Sequence, residues 1–271
     1  MMKKMAAFGL SGLEWTDDPQ TNEEFFHNFL LAFLAGEWDY LVDSDDISPL
    51  KKLHMKKDFA IEYNALLGAF TNQNRFFALP NTGVNLVGTA GVTPAYSREE
   101  LMAQQQAVYE AACALHDRLW EDGSLHEGMT EKEICRVYFD CLVSYHIPGS
   151  NTALGLDHYS PDPEYRTQFM IYDCAYGALI GRIADCGGKA ACMNLLMGLE
   201  GIRAYGLRGT LLGPNSGHIV SYIILDGEEY AADYASSIHG LYPLDSQEIT
   251  SAFVPDPASL STVRAIVNGG K

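Results

Sequence analysis

Three residues of this sequence have the types, order and spacing for nucleophilic thiol chemistry: Cys186, His218 and Asp233. Cys186 stands in DCGGKAACMNLL, residues 185–196, directly before two glycines and an amphipathic run. The N–H groups and positive dipole end of a helix beginning there stabilise a thiolate, and small neighbours leave room for a substrate. Such a thiol needs a base to take its proton and later return it to the leaving group. The base in turn needs an acceptor that fixes its tautomer. An imidazole and a carboxylate supply those two roles.

The elements around these residues have to bring them together. Asp226-Gly227 between two apolar runs is a two-residue hairpin signature. That turn pairs Ile224 with Glu229, Val220 with Asp233 and His218 with Ala235. Side chains alternate with period two, so His218 and Asp233 emerge on one face as diagonal neighbours, with backbones about 7–8 Å apart. A one-residue slip in the turn would send Asp233 to the opposite face. A helix over roughly 187 to 199, ending at Gly201, sets Cys186 at its start. The segments IRAYGLRG, HIVSYIILDG and EEYAADYAS have strand composition and length.

Upstream, three S/T-x-x-E pairs mark helix starts: Thr21 with Glu24, Ser97 with Glu100, and Thr130 with Glu133. They open EEFFHNFLLAFLAG, the long REELMAQQQAVYEAACALHDRLWED, and EKEICRVYFDCLVSYHI, the last stopped by Pro148-Gly149. RFFALPNTGVNLVGTAGVTPAYS is a hairpin or irregular loop, NTALGLDHYSPDPEYRTQ is a loop bordering the cleft, and FMIYDCAYGALIGR is a helix leading into Cys186. Helices followed by consecutive strands predict an α+β fold rather than a parallel βαβ sheet. A boundary near residue 95 divides a mainly helical accessory region, 1–95, from a catalytic domain, 96–271.

Tyr176-Gly-Ala-Leu179, Cys186-Gly-Gly-Lys-Ala190, Gly201-Ile-Arg-Ala204, His218, Leu225-Asp-Gly227, Tyr230 and Asp233 follow one another in a familiar order, with a matching His-to-Asp interval. Through them residues 176–235 resemble the transglutaminase-like superfamily, most of all its bacterial branch. The resemblance implies a papain-like core, a helix bearing the nucleophile packed on an antiparallel sheet. It also implies Cys186 as nucleophile, His218 as general base and Asp233 as the orienting acid. Amide carbonyls of peptides or proteins would be attacked through a thioester that passes to water, the expected outcome, or to an amine. The backbone N–H of Cys186 would meet the oxyanion, with Tyr176 as candidate side-chain donor. Gly187, Gly188, Lys189 and Gly217 are the candidate residues of the substrate cleft. The sequence departs from the pattern in three places: Val220 stands where Trp is common, Lys189 where Tyr is frequent, and the pair Tyr234-Ala235 where Pro or Thr follows the Asp. They leave the three reacting residues in place and bear on the pocket.

Composition narrows the alternatives. The 271 residues are 47% hydrophobic and 20% charged, which suits a globular chain with a sizeable core. A net charge of −17 argues against a nucleic-acid partner. No apolar run reaches the roughly 18 residues of a membrane span. MMKKMAAFGLSGLEW has two lysines and a brief apolar stretch without a small-residue cleavage site, so the compartment stays open, with the cytoplasm as default. The cysteines at 113, 135, 141, 174, 186 and 192 form no CxxC pair, and DSDDISPLKKLH from Asp43 lacks the Gly and Glu of a calcium loop. Thiol, imidazole and carboxylate require neither cofactor nor metal. The expected partner is a peptide or protein substrate, and the oligomeric state is left open. The rival reading is the same fold with a silent site that binds peptides. A redox role for Cys186 with Cys192 comes third, since six residues apart on one helix they point poorly for pairing.

Overall fold

The computed structural model describes residues 2–7, 12–18, 20, 24, 27, 28, 31, 98–146, 174–213, 216–235 and 238–267. The expected helix after Thr21 lies almost entirely outside them, as do Ser97, the 75–97 loop, the 151–168 loop and the boundary near residue 95.

Helix α1 covers Met2–Ala7, α2 Arg98–Glu121 and α3 Glu131–Tyr145. In α2 the buried residues Val108, Ala112, Leu115 and Leu119 recur at helical spacing and form one apolar stripe. The stripe of α3 is Cys135, Tyr138, Phe139 and Leu142. Its start is a full capping box: the Glu133 N–H donates to Thr130 Oγ1 at 3.2 Å, and the Thr130 N–H donates to Glu133 Oε2 at 2.8 Å. Where an ordinary helix was expected before Cys186, the chain makes a wider π-helical turn over Gly177–Gly181, ended by Arg182 at φ 58°.

Helix α4, Cys186–Leu199, is buried on nearly every side, because it lies between the other helices and the sheet. At Gly198 a Cβ would come within 2.4 Å of the Ala6 carbonyl oxygen, so only glycine lets α1 cross here. The α1 segment, from the region expected to be accessory, thus packs directly on α4, with Ala7 fully buried. Gly201, at φ 74°, ends α4, and the Ile202 N–H returns to the Met197 carbonyl at 2.9 Å.

Five antiparallel strands follow: β1 Ala204–Leu211, β2 Gly217–Leu225, β3 Glu228–Asp233, β4 Gly240–Pro243 and β5 Phe253–Pro255, in the order β4-β3-β2-β1-β5. The β2–β3 register has Ile224 opposite Glu229 and Ser221 opposite Ala232, as the Asp226-Gly227 turn predicts. Both turn residues have positive φ, 53° and 87°, the conformation that a tight hairpin demands. Short α5, Gln247–Thr250, leads into β5, and α6, Pro257–Val267, packs on β1. The fold is α+β: a mixed set of helices on an antiparallel sheet.

Candidate active site

Asp185 precedes α4 in extended conformation, and its Oδ1 accepts from the Gly188 N–H at 3.1 Å. An aspartate satisfies a free donor of the first turn in this way and fixes where the helix begins. Cys186 is therefore the first helical residue. Its own N–H lies ahead of the first intrahelical bond, from the Lys189 N–H to the Asp185 carbonyl at 3.0 Å.

β2 meets α4 here. The Ser221 hydroxyl donates to the Ala190 carbonyl at 3.2 Å, so Ser221 turns toward α4. By alternation His218 turns to the other face, and Asp233 follows it there from β3. β3 leaves β2 beyond Ala232, so Ile219 lies outside the β2–β3 ladder, and its N–H, with that of Gly187, favours the ionised form of the Cys186 thiol. The β2 residue that acts on the thiol is thus the immediate chain neighbour of His218.

His218 and Asp233 form a buried pair, 6% and 3% exposed, with Nε2 to Oδ2 at 2.7 Å. A carboxylate acceptor at Nε2 requires the proton there, which leaves Nδ1 as the basic nitrogen. The second carboxylate oxygen accepts from the Ala235 N–H at 2.7 Å, so both oxygens of Asp233 are engaged. Phe253 lies edge-on to the imidazole, ring centroids 6.2 Å apart and planes at 76°. It reaches across β1 because Gly209, directly opposite His218, has no side chain; a Cβ there would come within 2.4 Å of the phenyl ring. The imidazole is thus held by a carboxylate on one side and a phenyl on the other.

Burial pushes the Cys186 thiol up to about 11, and the neighbouring Asp185 carboxylate adds to this. The N–H groups of Ile219 and Gly187 oppose the rise, and the Asp233 charge contributes to it. The resting thiol is therefore protonated at neutral pH. Among the described residues no hydrogen bond joins Cys186 to His218.

Lys189 turns inward and is half-buried. Burial lowers its ammonium below the usual lysine value, while Asp233, Asp185 and Cys186 hold the charge in place. Gly187 and Gly188 are buried inside the first turn of α4, whereas Gly217 is exposed at the start of β2. Tyr176 packs against the core just before the π-helical turn and makes no hydrogen bond to Cys186, His218 or Asp233. Cys192 is fully buried, next to the Tyr234 hydroxyl. The clamping roles of Asp185 and Phe253 went unread in the sequence. Asp185 had a visible marker, an N-cap residue directly before a helix, whereas Phe253 had none, being 35 positions from His218.

Among the described residues no group of three or more His, Cys, Asp or Glu side chains is placed to hold a metal ion. No helix among them is long and apolar enough to cross a membrane. Comparison with known proteins gives no match: no family model, no curated protein and no solved structure is detectably similar to this chain.

Proposed function

We propose that this protein is a cysteine-dependent acyl-transfer enzyme of the transglutaminase-like, papain-like class, acting on peptide or protein amides and passing the acyl group chiefly to water. The observation that carries this reading is the buried His218–Asp233 hydrogen bond, with the N–H of Ile219, next to His218 in the chain, opposing the rise of the Cys186 thiol.

In the proposed reaction His218 Nδ1 takes the proton from Cys186 as the sulfur attacks the amide carbonyl carbon. A C–S bond forms, and the carbonyl oxygen becomes an oxyanion facing the Cys186 N–H at the positive end of α4. Collapse breaks the C–N bond, and the imidazolium gives its proton to the departing amine. Water then attacks the thioester, losing a proton to His218, and the acid leaves as the thiol is restored. Asp233 stays ionised throughout and stabilises the imidazolium that forms.

A second reading, a silent peptide-binding module, draws on the raised thiol and the lack of a sulfur–imidazole hydrogen bond among the described residues. Unliganded catalytic sites are often loose in this way, so the acyl-enzyme decides between the two. Incubation with a panel of peptide p-nitroanilides, followed by intact-mass measurement, is expected to reveal an acyl adduct on Cys186. Cys186→Ser should show none. A fluorescent primary amine added to the mixture should capture only a minor share of the acyl group. If wild type forms no adduct with any member while still binding peptides, the silent reading is correct.

A further inference from the structure

Two of the positions that depart from the resembled pattern, 189 and 234, touch one another. The Tyr234 hydroxyl donates to the Lys189 carbonyl at 2.9 Å, and the Lys189 ammonium reaches back to the Tyr234 carbonyl at 3.4 Å. The ammonium also lies 5.5 Å from the centre of the Tyr234 ring. Lys189 is the fourth residue of α4, three past the thiol, and Tyr234 is the residue after Asp233. This exchange therefore ties the start of the nucleophile helix to the end of the strand that carries the acid.

Tyr234 cannot drift. It is buried, its ring meets Phe139 edge-on at 5.9 Å, and the His146 imidazole lies 5.2 Å from it. Both partners come from α3 or its C-terminal cap. Tyr234 stands in the bend that directly follows β3, so holding it against α4 fixes where the strand ends and keeps Asp233 beside His218. The charged and titratable groups around the exchange are Asp185, Cys186 and Asp233 on the lysine side, with His146 and Cys192 on the tyrosine side.

We propose that Lys189 and Tyr234 are positioning residues that act as a unit, setting Asp233, and through it His218, at the separation from Cys186 that proton transfer needs. The proposal rests on the acyl-transfer reading above. Neither side chain is asked to touch the substrate; each acts through Asp233.

The test measures alkylation of Cys186 by iodoacetamide, read by peptide mass spectrometry at pH 7 and at pH 10. The His218-dependent part is the excess of a given protein over the same protein carrying His218→Ala. Lys189→Met keeps the side-chain stem and Tyr234→Phe removes one oxygen, so both changes are mild, and thermal melting checks the fold. In each variant the His218-dependent rate at pH 7 is expected to fall roughly tenfold, the equivalent of one unit of thiol pKa, with little change at pH 10. Lys189→Arg, which retains a donor and a charge, should restore it. The double variant should be no slower than the slower single one, as for residues acting together. A wild type with a clear His218-dependent rate, and both single variants within twofold of it, would overturn the positioning role and leave the enzyme reading intact. A wild type indistinguishable from His218→Ala would remove the enzyme reading itself, and this proposal with it.

Discussion

The two ends of the β2–β3 hairpin are built from similar residue types under opposite conditions. At the closed end, Asp226 is exposed, and its carboxylate accepts from the Glu131 N–H at 3.3 Å while its own N–H donates to Glu131 Oε2 at 2.6 Å. A cleft of about 510 Å³ opens there, lined among others by Thr130, Glu131, Arg203, Ile224 and Asp226, but both carboxylates are already committed to backbone donors. At the open end, Asp233 is buried, one oxygen on an imidazole and the other on a backbone N–H. Water can replace a lost partner at the first end and not at the second. The closed end fixes register; the open end uses that register to hold a buried polar pair, a costly arrangement that stability alone does not call for.

This contrast can be broken by equivalent changes at the two ends. Asp233→Ala leaves the His218 and Ala235 N–H groups without their acceptor, and we expect a loss of roughly 3–5 kcal/mol in urea denaturation. Asp226→Ala should cost only about 1–2 kcal/mol by the same measurement, because solvent takes over its hydrogen bond and the strain of Ala at φ 53° is what remains. Equal losses would mean that burial does not set the two ends apart.

Gly209→Val tests the support behind the imidazole. Its Cβ would collide with the Phe253 ring and the Val254 carbonyl, so a cost of about 1–3 kcal/mol is expected, with slower alkylation of Cys186 as His218 loses its phenyl neighbour. Gly227→Ala meets open space but keeps φ at 87°, so strain alone should cost about 1–2 kcal/mol, with the His218 pair unchanged if the register holds.

The smallest effect concerns acid. The Arg264 guanidinium holds the Glu229 carboxyl below the usual carboxylate range, with the Tyr222 hydroxyl also donating to it at 2.7 Å. A lowered folded value means that the unfolded chain binds the proton more readily. This contribution is thus complete above the ordinary glutamate pKa and is lost as pH falls through the folded one. For so exposed a pair it amounts to roughly 0.5–1 kcal/mol, and Arg264→Ala should remove that dependence from the pH–stability curve.

Much of this was legible in the sequence where the controlling interaction is local. Asp226-Gly227 specified the turn, the turn specified the register, and the register placed His218 beside Asp233. Thr130 and Glu133 announced α3, and Gly201 announced the end of α4. What could not be read depended on how distant segments meet. Lys189 was as compatible with solvent as with the site until α4 and β3 were placed together, and only then does Tyr234 become its partner. Phe253 reaches His218 only because β5 joins the sheet beyond β1 with Gly209 between them. The π-helical turn at Gly177–Gly181 likewise has no pattern distinct from an ordinary apolar helix.

The most direct measurement is the pH dependence of Cys186 alkylation in wild type and in His218→Ala. Burial and two carboxylates set the thiol near 11 when no base assists, so the variant should react appreciably only at high pH. In wild type His218 takes the proton, and alkylation at pH 7 should exceed that of the variant by roughly 100-fold or more, the scale of general-base assistance. Superimposable profiles rising together toward pH 11 would show that the imidazole does not serve the thiol, and would contradict the account at its centre.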